Sequence, residues 1–393
     1  MISLARYATL LERPELRRTI VASVIGRLPI GILGLAILLA TQTSSGSFGL
    51  AGAVAACYLA GLAAMAPVLG RIIDRTGPAR VLRICVLVFP TTLVTLVVAL
   101  QLDAPLWTAF ALAALAGASF PPITVTLRTF LRQRLIEEAQ LATAYSLESV
   151  LIEIIFIVGP MLVALFVAYL SASAAVLFAA GTGLVGTLLF LRSPVLAHWR
   201  IEARRAPSLL GPLAVRGFPP LLVVIFAYSI AFGLLEIGVT AFAAQAGMPA
   251  LAGLILGLMS VGSAAGGLAY GSRSWRMHLP EQFALMLLLM GLGIAGLSVV
   301  GNAALFTVVG IAAGVVMAPA LIIQSMLVAR TAPAQFATEA FTWSTSCLLT
   351  GVGLGLATGG LLLEHANPAA VFVAGGAVSA GAAVLAYATL RRS

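Results

Sequence analysis

Six ionisable side chains stand within, or at the mouths of, long apolar stretches: Arg27, Arg128, Glu148, Glu153, Glu236 and Glu339. An ionised group in hydrocarbon costs at least a few kcal/mol, so each is expected to be paired or to work. Arg27 lies about two and a half helical turns beyond Arg18, too deep for its guanidinium to reach water along the helix. Pro29 beside it is expected to kink that helix. Glu148 enters another apolar stretch from the same side to a similar depth and is the first candidate partner. Such a pair either fixes helix registry or puts Arg27 against a passage, binding an anionic group or modulating a titrating carboxylate. Glu153, five residues from Glu148, points to a different helix face, so the two do not form one paired-carboxylate site.

Three further stripes carry polar groups at helical spacing. Gly117, Pro121, Thr124 and Arg128 give one face that could line a pathway, although Arg128 serves equally as an interfacial anchor. Glu236 shares a stripe with Ser229, Phe232 and Thr240, and no arginine in the second half of the chain reaches its depth. Low dielectric disfavours the charged form of a carboxyl left without a countercharge, which is the property a proton carrier exploits. The other reading of Glu236 is a neutral, hydrogen-bonded structural carboxyl. Gly310, Gly314, Met317, Leu321 and Gln324 form another stripe, and Glu339, Trp343, Ser346 and Thr350 one more; both suit helix packing as readily as substrate contact.

The elements that must position these groups are membrane-spanning helices. Of 393 residues, 61% are hydrophobic and 9% charged, against about 25% charged in a soluble domain. A spanning helix needs about 20 apolar residues, and twelve such windows fit the chain. They are expected near Thr19 to Ala40, Leu50 to Leu69, Val81 to Leu100, Trp107 to Leu131, Ala142 to Ala168 and Ala172 to Leu191. After a polar stretch follow Pro220 to Ala243, Leu251 to Tyr270, Pro280 to Val300, Ala303 to Val328, Ala340 to Leu363 and Pro368 to Leu390. The first window is too long for a signal-peptide core and is read as a retained span. Cys57, Cys85 and Cys347 each fall in an apolar window, so no disulfide framework is implied.

Every basic residue is an arginine, 22 in all. With loops assigned to alternate sides, the arginines at 6, 13, 17, 18, 71, 75, 80, 83, 132, 134, 200, 204, 205, 216, 273, 276, 330, 391 and 392 share one side, and the opposite loops hold none. By the positive-inside rule both termini are expected in the cytoplasm, and the asymmetry supports an even number of spans. The net charge of +9 therefore reports topology rather than nucleic-acid binding.

The chain also resembles itself at half its length. Gly117 and Pro122 fall on Gly314 and Pro319; Ala139 to Thr143 (AQLAT) fall on Ala334 to Thr338 (AQFAT); after a one-residue slip, Ala144, Tyr145 and Ser146 meet Ala340, Phe341 and Thr342, and Gly159 meets Gly355. Two parallel repeats of this kind place a substrate site at their interface near the bilayer midplane. The expected organisation is a six-helix bundle over 1–191, a cytoplasmic linker over 192–217 and a second bundle over 218–393.

Between the second and third windows stands Gly70-Arg71-Ile72-Ile73-Asp74-Arg75-Thr76-Gly77-Pro78-Ala79-Arg80. This resembles the signature loop of the major facilitator superfamily, and with twelve spans, the repeat and the central linker the resemblance covers the whole chain. It implies an all-α membrane protein of two pseudo-symmetric six-helix bundles. It also implies a conformational latch of Gly70, Asp74, Arg75, Gly77 and Arg80 against the amino end of the eleventh span in the outward-open state. In physical terms Gly70 lets two helices approach, Gly77 permits a tight turn, and Asp74 can accept from a helix N-terminus. The loop departs from the family in having Pro78 and Ala79 after the second glycine. Its counterpart near Gly267 to Arg276 lacks the acidic residue, Ala113 and Ala114 occupy the place of an arginine found in many proton-coupled members, and Gly159-Pro160 retains only part of the antiporter motif.

The function expected is secondary active transport of a small organic solute by alternating access, with proton-coupled efflux of a drug-like or metabolic compound preferred. The alternative is a proton-linked importer of an organic anion with Arg27 gripping the carboxylate. The expected setting is a monomer in a bacterial inner membrane, with solute and lipid as partners, no nucleic acid, no metal and no cofactor beyond a proton as coupling ion. An integral membrane enzyme lacks support: no HExxH helix or nucleophile elbow occurs, and His198, His278 and His365 all fall in loops. A channel is disfavoured by the single pseudo-symmetric chain.

Overall fold

The structure, a computed structural model, describes residue 12 and residues 14–102, 104–134, 138–193, 211–271, 275–332 and 337–390. Twelve helical spans are long and apolar enough to cross a membrane, and no strand occurs among the described residues. The first six are Pro14–Ser45, Phe48–Thr76, Pro78–Gln101, the pair Leu106–Ala118 and Ile123–Arg134, Glu138–Tyr169, and Ala172–Leu191. The second six are Phe218–Gln245, Leu251–Gly271, Leu279–Gly296, the pair Ala303–Gly314 and Met317–Thr331, Ala337–His365, and Pro368–Leu390. Of the expected linker, 194–210 lies outside the described residues.

Local chemistry sets the helix ends. Ser47, Ser171 and Asn302 accept backbone N–H groups at the starts of the second, sixth and tenth spans, satisfying donors that the first helical turn leaves without intrahelical partners. Between the second and third spans the chain turns on Gly77, whose φ of 79° suits glycine and whose N–H closes on the Ile73 carbonyl at 2.8 Å. Pro78 then starts the next helix at a position where a missing N–H costs nothing.

Lipid tails give helices no hydrophobic reason to associate, so close backbone packing at small residues carries much of the fold. Gly159 abuts the backbone of Gly31 where the first and fifth spans cross. Gly355 meets Ile230 and Gly233 where the seventh and eleventh cross in the same manner. The sequence repeat thus reappears as repeated packing in two pseudo-symmetric six-helix bundles.

Two expectations need correction. The fourth and tenth spans, expected as continuous helices, are each broken, at 119–122 and at 315–316. In the fourth, Pro121 and Pro122 supply no N–H donors, so the ladder cannot pass through them. The breaks fall at or beside the glycine–proline pairs Gly117/Pro122 and Gly314/Pro319. Interrupted helices at matching places in two repeats are the strongest fold-level pointer to a transport site. Nor does the stripe beginning at Gly117 line a passage along its whole length, while the stripe beginning at Gly310 takes the packing role that was equally open to it. Gly117 packs on the backbone of Tyr58 and Leu62, and Gly314 on that of Met259.

The bundles meet along two seams. The second span packs most extensively on the eleventh, and the fifth lies against the eighth. On the first seam Gly49 approaches Glu364, Gly52 the Leu356 carbonyl, and Gly353 Ala56, and Ser346 Oγ donates to the Ala63 carbonyl at 3.3 Å. On the second, Gly253 meets Pro160 and Ala164, and Gly257 meets Met161. The approaches at Gly49, Gly52, Gly253 and Gly257 lie toward the face remote from the arginines, whereas the Ser346–Ala63 bond lies near the middle of the second span. Seven residues beyond Ala63, toward the arginine-rich face, a side chain at Gly70 would meet open space.

Candidate functional site

Arg27 and Glu148 meet inside the first bundle. The first span carries Arg27 and the fifth carries Glu148, and the glycine crossing at Gly31 and Gly159 brings the two helices close enough for Arg27 Nη1 to donate to Glu148 Oε1 at 3.0 Å. Both side chains are buried, 0% and 2% exposed. Arg27 Nε donates to the Ser23 carbonyl and Nη2 to Ser23 Oγ, each at 3.1 Å, and Ser23 Oγ donates to the Ile20 carbonyl at 2.7 Å. Burying charge is costly unless it is paired and hydrogen-bonded, and both conditions are met here. The expectation that Arg27 faces the passage and grips an anion is therefore corrected for this conformation, because its guanidinium is held by Glu148 and Ser23 and reaches no solvent.

Arg128 supplies the exposed side of the cluster. On the second segment of the broken fourth span, its Nε donates to Glu148 Oε2 at 2.7 Å while 51% of the side chain remains exposed. Two guanidiniums thus share one carboxylate, with Ile20, Leu127, Leu131, Leu147 and Leu151 around it. Sequence spacing left Arg128 open between pathway and anchor, and the structure ties it instead to the buried pair. Thr124, one turn earlier on the same segment, is half-buried. The Glu153 side chain lies outside the described residues.

The second bundle holds a neutral cluster at the corresponding place. Tyr228 of the seventh span donates its hydroxyl to Gln324 Oε1, and Gln324 Nε2 donates to Ser344 Oγ at 2.8 Å. All three are buried. Gln324, placed in a stripe open to packing or solute contact, has both ends of its amide taken and in this conformation serves packing. Tyr228 and Ser344 were missed, although the repeat held the signal: the register that sets Gly159 on Gly355 sets Glu148 on Ser344.

Glu236 belongs to neither cluster. Half-buried on the seventh span, it faces the first span of the other bundle, where a methyl group on Gly34 would come within 3.1 Å of its Oε1. Among the described residues its carboxylate makes no hydrogen bond or ion pair. Thr240 donates to its main-chain carbonyl at 2.8 Å. Glu339 is half-buried in the first turn of the eleventh span, and Trp343 one turn on is 40% exposed.

Twelve spans, two repeated bundles and paired helix breaks narrow the fold sharply, and sequence comparison decides it. The profile of the Major Facilitator Superfamily matches residues 19–323. The chain belongs to the major facilitator superfamily. Solved superfamily-type structures agree in fold. A variant of the nucleoside transporter NupG is 16% identical with a TM-score of 0.70, covering 95% of this chain and 99% of its own. A variant of the peptide transporter POT in complex with alafosfalin is 14% identical with a TM-score of 0.71, covering 95% and 94%. The human organic anion transporter MFSD10 (TETRAN) is 18% identical with a TM-score of 0.64, covering 94% and 99%. No curated protein matches the chain. The Gly70 to Arg80 segment, which resembles the superfamily's signature loop, lies within the matched residues. Gly77 makes the tight turn expected of it, and Arg80 is exposed. Gly70 makes no close approach among the described residues. The side chains of Asp74 and Arg75 lie outside the described residues.

Proposed function

We propose that this superfamily transporter moves a small organic solute by alternating access, coupled to protons through Glu236, and that it works in efflux from a bacterial cytoplasm. One observation supports the reading: close backbone packing seals the face remote from the arginines, and Glu236, whose carboxylate has no partner among the described residues, is set at the boundary between the bundles. Protonating Glu236 removes a charge from the contact between the first and seventh spans, so a proton can bias which face is closed. The arginine-rich face is taken as cytoplasmic by the positive-inside rule, and with the opposite face sealed we read this conformation as inward-facing. Efflux of an amphipathic compound is favoured by the few polar groups of the candidate site, since sugars demand many hydroxyl partners.

A second reading, import of an organic anion, is favoured by Arg128, whose half-exposed side chain takes the recognition role that Arg27 is too deep to play. The similar folds are named as transporters of nucleosides, peptides and organic anions, so the architecture admits both readings. Flux into proteoliposomes under an imposed pH gradient, with ligands first found by thermal stabilisation of the purified protein, is the test. Glu236→Gln is expected to abolish pH-driven flux while ligand stabilisation persists. Unchanged pH-driven flux would remove Glu236 from the coupling.

A further inference from the structure

The sealed face carries a contact that neither the signature loop nor the buried clusters account for. Ser47 caps the second span, accepting the Leu50 N–H at 3.1 Å. Its hydroxyl also donates at 2.5 Å to Oε1 of Glu364, at the end of the eleventh span in the other bundle. The Glu364 carboxylate lies over the first turn of the second span, where a methyl group on Gly49 would sit 2.6 Å from Cδ and 3.0 Å from Oε2. A negative charge there is favoured by the helix N-terminus. One turn back from Glu364, Gly360 packs on the Phe48 carbonyl, with a methyl group at Gly360 only 3.0 Å from Gly49 Cα.

The chemistry of this seam is otherwise uncharged. No ionisable acidic or basic side chain stands between Phe48 and Cys57 or between Leu349 and Leu363, so close backbone packing brings the helices together and Glu364 adds the directional, charge-assisted bond. Ser47 already satisfies the Leu50 N–H within its own bundle, so the cap itself needs nothing from Glu364. The bond across the boundary exists only while this face is shut.

We infer that Glu364 is a positioning residue for the transport cycle: it latches the face remote from the arginines closed by accepting the Ser47 hydroxyl over the start of the second span in the opposite bundle, and it must let go for that face to open. This rests on the alternating-access reading above. It is distinct from the signature loop, which lies at the other end of the same two helices.

Distances between spin labels test it in the full-length protein with Cys57, Cys85 and Cys347 replaced. One pair, at Gln101 and Gly301, reports the sealed face; a second, at Arg80 and Met277, reports the arginine-rich face. All four positions are exposed and each pair spans the two bundles. Glu364→Ala is expected to raise the ratio of open to closed sealed face about tenfold, the scale of losing one charge-assisted hydrogen bond near a helix N-terminus. Glu364→Gln, which keeps the acceptor, is expected to raise it about threefold. The Arg80–Met277 distance should shorten in the same population, a coupled change that mere loosening of a helix end would not produce. Gly360→Val, which forces the two backbones apart, is the control. If Gly360→Val opens the sealed face and Glu364→Ala does not, the latch is refuted and rocking stands. If neither variant yields a second distance, alternating access itself fails.

Discussion

The two bundles solve one packing problem with different chemistry. In the first, Arg27, Glu148 and Arg128 join the first, fifth and fourth spans; in the second, Tyr228, Ser344 and Gln324 join the seventh, eleventh and tenth. The positions correspond. Glu148 falls on Ser344, Arg128 falls one residue beyond Gln324, and Arg27 and Tyr228 precede Gly31 and Gly233, at which each leading helix crosses its partner. Neutral hydrogen bonds therefore suffice to hold three helices together at this depth. Desolvation makes a buried ion cluster weak as a source of stability compared with neutral packing, so holding the helices does not by itself require the charges. The difference in exposure points the same way: the neutral cluster is closed off, whereas the ionic one ends in an arginine whose side chain is half exposed.

The comparison can be broken at several points. Glu148→Ala leaves Arg27 buried without its countercharge and is expected to cost about 3–5 kcal/mol, read as loss of thermal stability and monodisperse yield in detergent. A variant as stable as the parent would mean that Arg27 finds another partner. Gln324→Leu strands the Tyr228 hydroxyl and is expected to cost about 1–3 kcal/mol, with substrate KM unchanged in the protein that folds. A shift in KM would move Gln324 from packing to recognition.

Removing both charges sharpens the contrast further. Arg27→Leu combined with Glu148→Leu is expected to lie within about 1 kcal/mol of the parent in stability, because the pair's desolvation cost goes with its attraction, yet to lose solute flux. Retained flux would reduce the ionic cluster to a registry device like its neutral counterpart. The smallest structural effect belongs to Arg128→Gln. Half exposed, it is expected to change stability by less than about 1 kcal/mol, while raising KM for anionic solutes and leaving neutral ones unaffected. An equal change for both would argue against the organic-anion reading.

Much of this was legible in the sequence, and for definable reasons. Hydropathy windows found twelve spans because hydrocarbon admits so few backbone solutions, and the repeat found two bundles because matched packing conserves matched glycines and prolines. Arg27 and Glu148 were paired from depth alone, since two opposite charges entering from one face have few other ways to be stabilised. Missed were the bond from Arg128 to Glu148, the Tyr228–Gln324–Ser344 cluster and the contact of Glu364 with Ser47. Each joins residues far apart in the chain through helix rotation, which spacing within one helix does not specify.

Sequence by itself determined that this chain crosses a membrane twelve times in two related halves and belongs to a transporter superfamily, because burial in lipid and internal duplication are written in composition and order. Tertiary structure decided where the two bundles pack closely, that Arg27 is enclosed while Arg128 is half exposed, and that Glu236 stands at the boundary between bundles without a partner among the described residues. Those outcomes depend on how helices rotate and lean against one another, and several arrangements of the same apolar faces satisfy the bilayer equally well.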